Sequence, residues 1–316
     1  MPETITFDNS FPEQRPRVAA ALGVFDGVHS GHRQILLNLR EMAQKLHAIP
    51  VAITFFPHPR SILCPDDPPQ LLLPEEERIR LLKETGAEYV GIINFSRTFA
   101  AKSPEKFLES LRLSPQFDLR GICVGSCWRF GHFGRGDKNT IAAFAEKYGI
   151  DFCPCPELHL KNETVSSSAI RRHTASGNLG TAAEMLGRPT RIFGEVESGN
   201  GIASTELETP TANLLPEYGV VPPDGVYCAA VPVDGKLYPA AVNIGFAPTY
   251  KVKKRRIEVH LAGFSGNLYG RKLEVFLFKK LRDEICFSSP EELKKQIQMD
   301  IGNILSVFES NREFCK

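Results

Sequence analysis

Short apolar runs alternate with helix-spaced apolar positions along the first half of the chain. The runs of buried-strand length are 18–22, 51–55, 89–93, 121–124 and 150–153. Helical spacing covers 34–46, 75–83, 104–111 and 140–148, and in the first of these Ile35, Leu39, Met42 and Leu46 recur every three or four residues. Such alternation predicts an α/β domain with a parallel sheet and right-handed crossovers.

The pattern changes after Gly187. Strand-like segments at 191–196, 225–231, 240–244, 256–261 and 273–278 follow one another between glycine and proline turns. Helical spacing returns only at 289–308. This order predicts a compact antiparallel β-barrel with a C-terminal closing helix. We place the domain boundary in the glycine-containing segment between Thr174 and Thr190, which gives domains 1–184 and 185–316.

Composition narrows the classes of function. Thirty-eight Lys and Arg against 37 Asp and Glu leave a net charge of +1, which argues against a nucleic-acid partner. The chain has neither an apolar stretch of about 18 residues nor a basic-then-apolar leader, so we expect no membrane partner and a cytoplasmic location. The eight cysteines are scattered among apolar neighbours, and we expect buried thiols. Whether the chain forms a homo-oligomer is left open.

The segment 23–32 carries the most chemistry, because it joins the first predicted strand to the first predicted helix. Its glycines, Gly23, Gly27 and Gly31, allow a sharp turn and close approach of a ligand to the backbone. Free amides and the positive end of the helix attract anions, and His29 and His32 could both donate to a phosphate. The alternative is an exposed turn with two incidental histidines.

These residues resemble the HxGH nucleotidyltransferases, and among them the bifunctional riboflavin kinase/FMN adenylyltransferases. The segment 23–32 matches the family pattern G-x-F-D-G-V-H-x-G-H. The resemblance continues through 54–59, 125–137 and 165–171 and into the second half, so it covers nearly the whole chain. It implies a Rossmann-like nucleotidyltransferase domain followed by a kinase barrel. The implied substrates and products are ATP, riboflavin, FMN and FAD, with Mg²⁺ as cofactor.

For the first domain, the resemblance implies adenylyl transfer, in which a phosphate oxygen of FMN attacks the α-phosphorus of ATP and expels pyrophosphate. His29, His32 and Arg171 would stabilise the developing charge. The implied ATP-binding residues are Gly23, Phe25, Asp26, Gly27, Gly31, Ser166, Ser167 and Ser168. Simple capping of a helix explains the three serines equally well.

The resemblance also implies a flavin pocket. Its residues would be Thr54, His58, Pro59, Trp128 and Phe130. Core packing explains the two aromatic side chains about as well. The chain departs from the family at Cys127, where an acidic residue is usual, and a thiol is a poor substitute for a carboxylate.

In the second half, 210–213 matches the P-T-A-N motif of riboflavin kinases. Thr211 and Asn213, two residues apart in an extended segment, could direct oxygen atoms at one Mg²⁺ ion. By the resemblance, Glu258 is the general base for the riboflavin 5′-hydroxyl. An outward-facing residue on an edge strand is the alternative for Glu258.

The loop before this motif departs from the family. Residues 201–209 lack the usual arginine and include two acids, and the basic run 251–256 is a candidate replacement. Three functions therefore remain: a bifunctional enzyme, an adenylyltransferase with a degenerate barrel, and a non-catalytic flavin or nucleotide sensor.

Overall fold

The computed structural model describes residues 5–197, 211–246, 255–285, 290–311 and 313. The chain divides into two compact units, Met1–Pro69 with Glu75–Ser166, and Gln70–Pro74 with Ser167–Lys316. The domain boundary after residue 184 stays a prediction.

A six-stranded sheet forms the centre of the first unit. Its strands are Ile5–Phe7 (β1), Arg17–Leu22 (β2), Ile49–Phe56 (β3), Tyr89–Asn94 (β4), Asp118–Gly125 (β5) and Asp151–Cys155 (β6), in the order β1-β4-β3-β2-β5-β6. The pairs among β2 to β6 are parallel, which confirms the predicted parallel sheet. β1 adds an antiparallel edge that the sequence pattern did not predict, because three residues are too short to show a period.

The helices of the first unit alternate with these strands. They are Ser30–Leu46 (α1), Pro59–Leu63 (α2), Glu75–Thr85 (α3), Arg97–Ala100 (α4), Pro104–Arg112 (α5) and Lys138–Tyr148 (α6), and a small hairpin follows at His159–Leu160 (β7) and Glu163–Thr164 (β8). α1 packs closely on β5 at Gly121, where a Cβ atom would lie 2.4 Å from the Met42 sulfur. Glycine at this position therefore allows the close approach of helix and sheet.

A closed antiparallel barrel forms the centre of the second unit. Its strands are Thr190–Glu197 (β9), Thr211–Tyr218 (β10), Gly225–Val233 (β11), Lys236–Phe246 (β12), Arg255–Leu261 (β13) and Lys272–Arg282 (β14), in the order β10-β13-β12-β11-β14-β9. Alternate residues such as Val242, Ile244, Ile257 and Val259 fill the interior. The predicted barrel is thus confirmed.

Among the described residues, three helices accompany the barrel: Ser167–Ala175 (α7), Leu179–Leu186 (α8) and Pro290–Asn311 (α9). The last confirms the predicted C-terminal helix. α8 lies in the segment that we interpreted as the domain boundary, and it ends at Gly187, whose φ of 68° is the left-handed conformation typical of a helix C-cap. Of the glycines in this segment, Gly180 therefore lies within the helix and Gly187 caps it.

Candidate active sites

The carboxyl edge of the first unit's sheet carries most of the predicted site residues. β2 pairs with both β3 and β5, and the chain proceeds outward from β2 in opposite directions on its two sides. Ligands of open α/β sheets bind at such a reversal of strand order, beyond the carboxyl ends of the strands. The loop after β2 is the motif at 23–32, and the loop after β5 contains Trp128.

The loop after β2 holds an unusual backbone conformation. Gly27 has a φ of 82°, as its residue type allows, but Phe25 and Val28 also have positive φ values, of 53° and 38°. Positive φ costs a residue with a side chain about 1–3 kcal/mol, most of all a β-branched one. Both side chains are fully buried, so their packing offsets this cost. The sequence motif did not indicate that residues other than glycine adopt positive φ in this turn.

His29 and His32 form a stacked pair, which we call the histidine pair. Their ring centroids lie 3.6 Å apart with an interplanar angle of 19°. His29 is the N-cap of α1, and its Nδ1 accepts the backbone N–H of His32 at 3.3 Å. In its neutral form His29 therefore carries its proton on Nε2. The buried Phe25 ring meets His32 edge-on at 5.2 Å and so limits the movement of the pair.

An apolar cavity of about 440 Å³ lies at the same edge of the sheet. Aromatic side chains from several loops line it, and Trp128 stacks on Phe130 with centroids 4.8 Å apart. Pro59 also lines it, and Arg97, Lys102 and Arg129 contribute positive charge. A flat aromatic ligand with an anionic group fits such a lining. The other lining residues include Val24, Phe55, Phe95, Phe99 and Phe107.

Two of the five predicted flavin residues do not line this cavity. The buried Thr54 donates to the carbonyl of Val24 at 2.9 Å. His58 is the N-cap of α2, with Nδ1 accepting the Arg60 backbone N–H at 3.1 Å. These two hydrogen bonds fix loops at the edge of the sheet. Contact of Thr54 and His58 with the flavin stays a prediction.

Sequence reasoning missed Arg78, which stabilises the same edge. Its guanidinium is buried and donates to the carbonyls of Val24 at 3.2 Å and Phe55 at 3.5 Å. The loop after β2 is thereby attached to the end of β3. Arg78 precedes Leu81 and Leu82 by three and four residues, so an arginine on the apolar face of α3 was the available signal.

The motif at 165–171 spans the two units. The histidine pair and Ser166 belong to the first unit, whereas Ser167, Ser168 and Arg171 belong to the second. α7 begins at Ser167, and Arg171 on this helix donates through Nε to the carbonyl of Gln70 at 2.7 Å. The roles of the three serines and of Arg171 in ATP binding stay predictions.

Two of the predicted kinase residues, Asn213 and Glu258, lie on the outer face of the barrel. β13 lies between β10 and β12, and Glu258 pairs with Asn213 on one side and with Asn243 on the other. We call these three residues the Asn–Glu–Asn row. Because β13 is an interior strand of a closed barrel, the interpretation of Glu258 as a residue of an edge strand is wrong; its outward orientation is confirmed, since Ile257 and Val259 fill the core.

The row offers acceptor atoms to a ligand. The Oδ1 atoms of Asn213 and Asn243 are buried and have no hydrogen-bond partner among the described residues. Oxygen ligands of this kind suit Mg²⁺, so Asn213 fits the cation site that the sequence predicts, with Thr211 two residues before it on β10.

The departing loop 201–209 and most of the basic run at 251–256 lie outside the described residues. Within that run, Arg255 pairs with Asp224 at 2.6 Å and also donates to the carbonyl of Pro222. Arg255 is therefore occupied in holding the segment before β11, and the description of the run as a substitute for the missing loop arginine stays a prediction.

Two family models match the chain in succession: FAD synthetase at residues 11–169 and riboflavin kinase at residues 186–308. A bifunctional riboflavin kinase/FMN adenylyltransferase from Escherichia coli (strain K12) is 36% identical over 280 residues, 88% of this chain and 89% of that protein. One from Bacillus subtilis (strain 168) is 31% identical over 307 residues, 95% and 96% of the two chains.

A solved structure from Streptococcus pneumoniae, described as a macrolide-efflux protein, matches with a TM-score of 0.79 and 25% identity over 96% of both chains. A shared fold does not transfer a function, so that description applies to that protein alone. No helix of the described residues is long and apolar enough to cross a membrane. The two family models in their order, and the extent of the identity to these relatives, show that the chain belongs to the family of bifunctional riboflavin kinase/FMN adenylyltransferases.

Proposed function

We propose that the chain makes FAD from riboflavin in two ATP-dependent steps, with FMN adenylylation on the first unit and riboflavin phosphorylation on the barrel. The observation that carries the proposal for the first unit is the combination, at one edge of the sheet, of an aromatic cavity and a histidine pair that a helix cap holds in place. The Asn–Glu–Asn row carries it for the barrel.

In the first unit, the flavin ring of FMN occupies the aromatic cavity and stacks on Trp128. The positive side chains Arg97, Lys102 and Arg129 favour the FMN phosphate, whose oxygen attacks the α-phosphorus of ATP. Arg129 also pairs with Asp137 at 3.4 Å, in an exposed contact that a phosphate can replace. Bonds form and break at one phosphorus atom, and pyrophosphate leaves.

The histidine pair stabilises the leaving pyrophosphate. The cap bond to His29 Nδ1 directs the proton of this ring to Nε2, from which it can donate to a phosphate oxygen. Stacking against His32 keeps the two rings in one orientation, so little rearrangement is needed when charge develops. The roles of Arg171 and of the serines at 166–168 in binding ATP rest on the family resemblance in this proposal.

On the barrel, Glu258 accepts the proton of the riboflavin 5′-hydroxyl as that oxygen attacks the γ-phosphorus of ATP. Asn213, together with Thr211, would hold Mg²⁺, which neutralises phosphate charge when bound. The magnesium requirement and a cytoplasmic location are parts of the proposal that rest on the residue types and on the family.

The two assignments are tested by the pair of variants Glu258→Gln and His32→Ala. Each purified protein is incubated with ATP and Mg²⁺ and either riboflavin or FMN, and the flavins are separated by chromatography. We expect Glu258→Gln to lose FMN formation and to keep FAD formation from FMN, and His32→Ala to do the reverse.

Matched controls come from the same two units. Glu195→Gln makes the same change at an exposed outward position of β9, and His159→Ala removes an exposed imidazole from the first unit. Both should retain both activities. Loss of both activities in either test variant would show that the division of labour is wrong.

A further inference from the structure

Asn243 occupies the same position on one side of Glu258 that Asn213 occupies on the other. The strand registers pair Asn213 with Glu258 across β10 and β13, and Asn243 with Glu258 across β12 and β13. Directly opposed residues on one face of an antiparallel pair have Cβ atoms about 4.5–5.5 Å apart. Two amides therefore flank the proposed base.

The amide oxygen of Asn243 requires a donor. Its Oδ1 is buried and has no hydrogen-bond partner among the described residues. Leaving a buried acceptor unsatisfied costs about 1–3 kcal/mol, whereas a ligand that brings an N–H or O–H group removes this cost. A residue that bears the cost next to the proposed base is a candidate for binding substrate.

The two sides of Glu258 differ in chemistry. On the Asn213 side, the sequence supplies a second residue with an oxygen side chain, Thr211, two positions before Asn213. On the Asn243 side, the outward neighbours along β12 are Ala241 and Gly245, which add no side-chain ligand for a cation. A carboxylate lies there instead: a Cβ atom on Gly245 would be 2.0 Å from Glu284 Oε1.

The Asn243 side is therefore rich in acceptors and suits a molecule with several hydroxyl groups. Riboflavin carries such a chain, the ribityl group, which ends in the 5′-hydroxyl. We propose that Asn243 is a substrate-binding residue of the kinase reaction: its Oδ1 accepts a hydrogen bond from an inner hydroxyl of the ribityl chain and thereby holds the terminal hydroxyl beside Glu258. This inference rests on the proposed kinase function of the barrel.

The test compares two substrates. One is riboflavin, and the other is a flavin whose N10 substituent is 5-hydroxypentyl, which keeps the terminal hydroxyl and lacks the inner ones. Asn243→Ala should lower kcat/KM for riboflavin about tenfold to a hundredfold, because one hydrogen bond is lost and the reacting 5′-hydroxyl is displaced. For the hydroxypentyl flavin, Asn243→Ala and the unmodified chain should agree within about twofold in kcat/KM, and likewise in affinity measured by fluorescence titration.

Controls separate this role from others. FAD formation from FMN, on the other unit, should be unchanged in Asn243→Ala and reports folding of the full chain. Asn267→Ala removes an amide that bonds only to the nearby Tyr269 backbone among the described residues, and it should leave both substrates unaffected. Asn243→Ser, which keeps an acceptor oxygen, should recover part of the riboflavin activity.

Three results would overturn the inference: an equal loss for both flavins, no loss for riboflavin, or an increase in the Mg²⁺ concentration needed for half-maximal rate, which would make Asn243 a cation ligand. Absence of riboflavin phosphorylation in the unmodified chain is a different result, because it refutes the proposed kinase function itself.

Discussion

Replacing Gly31 with alanine tests whether the positions of the histidine pair matter for adenylyl transfer. A Cβ atom at Gly31 would lie 3.2 Å from Nδ1 and 3.3 Å from Cε1 of His29, closer than the 3.4 Å at which ordinary contact begins. The His29 ring would have to move by a few tenths of an ångström. The same ring is stacked on His32, so the movement disturbs the pair as a whole.

The size of the effect follows from this displacement. A misplacement of about 1 Å at a reacting centre costs roughly a hundredfold in rate, so a few tenths should cost about three- to tenfold. We expect Gly31→Ala to lower kcat/KM for FAD formation from FMN and ATP by this factor. Stability should not fall in parallel, because alanine favours a helix over glycine by up to about 1 kcal/mol. Chromatography of flavins and thermal unfolding measure the two effects.

Gly180→Ala is the matched control. Gly31 and Gly180 are each the second residue of a helix, and a Cβ atom at Gly180 would meet no other atom within 4 Å. This control should leave both activities intact and raise Tm slightly. If Gly31→Ala retained full adenylyltransferase activity, or lost kinase activity to the same extent, the argument from imidazole placement would be refuted.

Other predictions concern the cavity, the barrel core and the thiols. Trp128→Ala should raise KM for FMN about tenfold in adenylyl transfer and leave riboflavin phosphorylation unchanged, since one stacking surface is lost; unchanged KM would exclude stacking there. Tyr227→Phe should lower the free energy of unfolding by about 1 kcal/mol in urea titrations, because the buried hydroxyl donates to the carbonyl of Pro223 at 2.6 Å. The expectation of buried thiols is wrong for Cys64 and Cys127, which are exposed, and right for Cys123, Cys155 and Cys228. Burial raises the pKa of Cys155 to about 12. At pH 8 iodoacetamide should therefore label Cys127 and spare Cys155 until the pH rises or the chain unfolds, and equal labelling by mass spectrometry would contradict this.

Local sequence predicted most of the long elements and marked the motif at 23–32 as a candidate phosphate-binding turn. The apolar run at 18–22 and the helical spacing at 34–46 sufficed to predict β2 and α1. The spacing of apolar residues along the chain reflects which side of a strand or helix is buried. The glycines and histidines at 23–32 showed where an anion could bind. Family resemblance then gave the order of the two domains, which the comparisons confirmed.

Only the tertiary structure decided which distant residues meet. The pairing of Glu258 with both Asn213 and Asn243 depends on strand order and register across a closed barrel, and neither is encoded in the local period of any one strand. The contact of Arg78 with the carbonyl of Val24 likewise joins residues 54 positions apart. Period and turn chemistry are properties of neighbouring residues, whereas a site is assembled from loops and strands that the folding of the whole unit brings together.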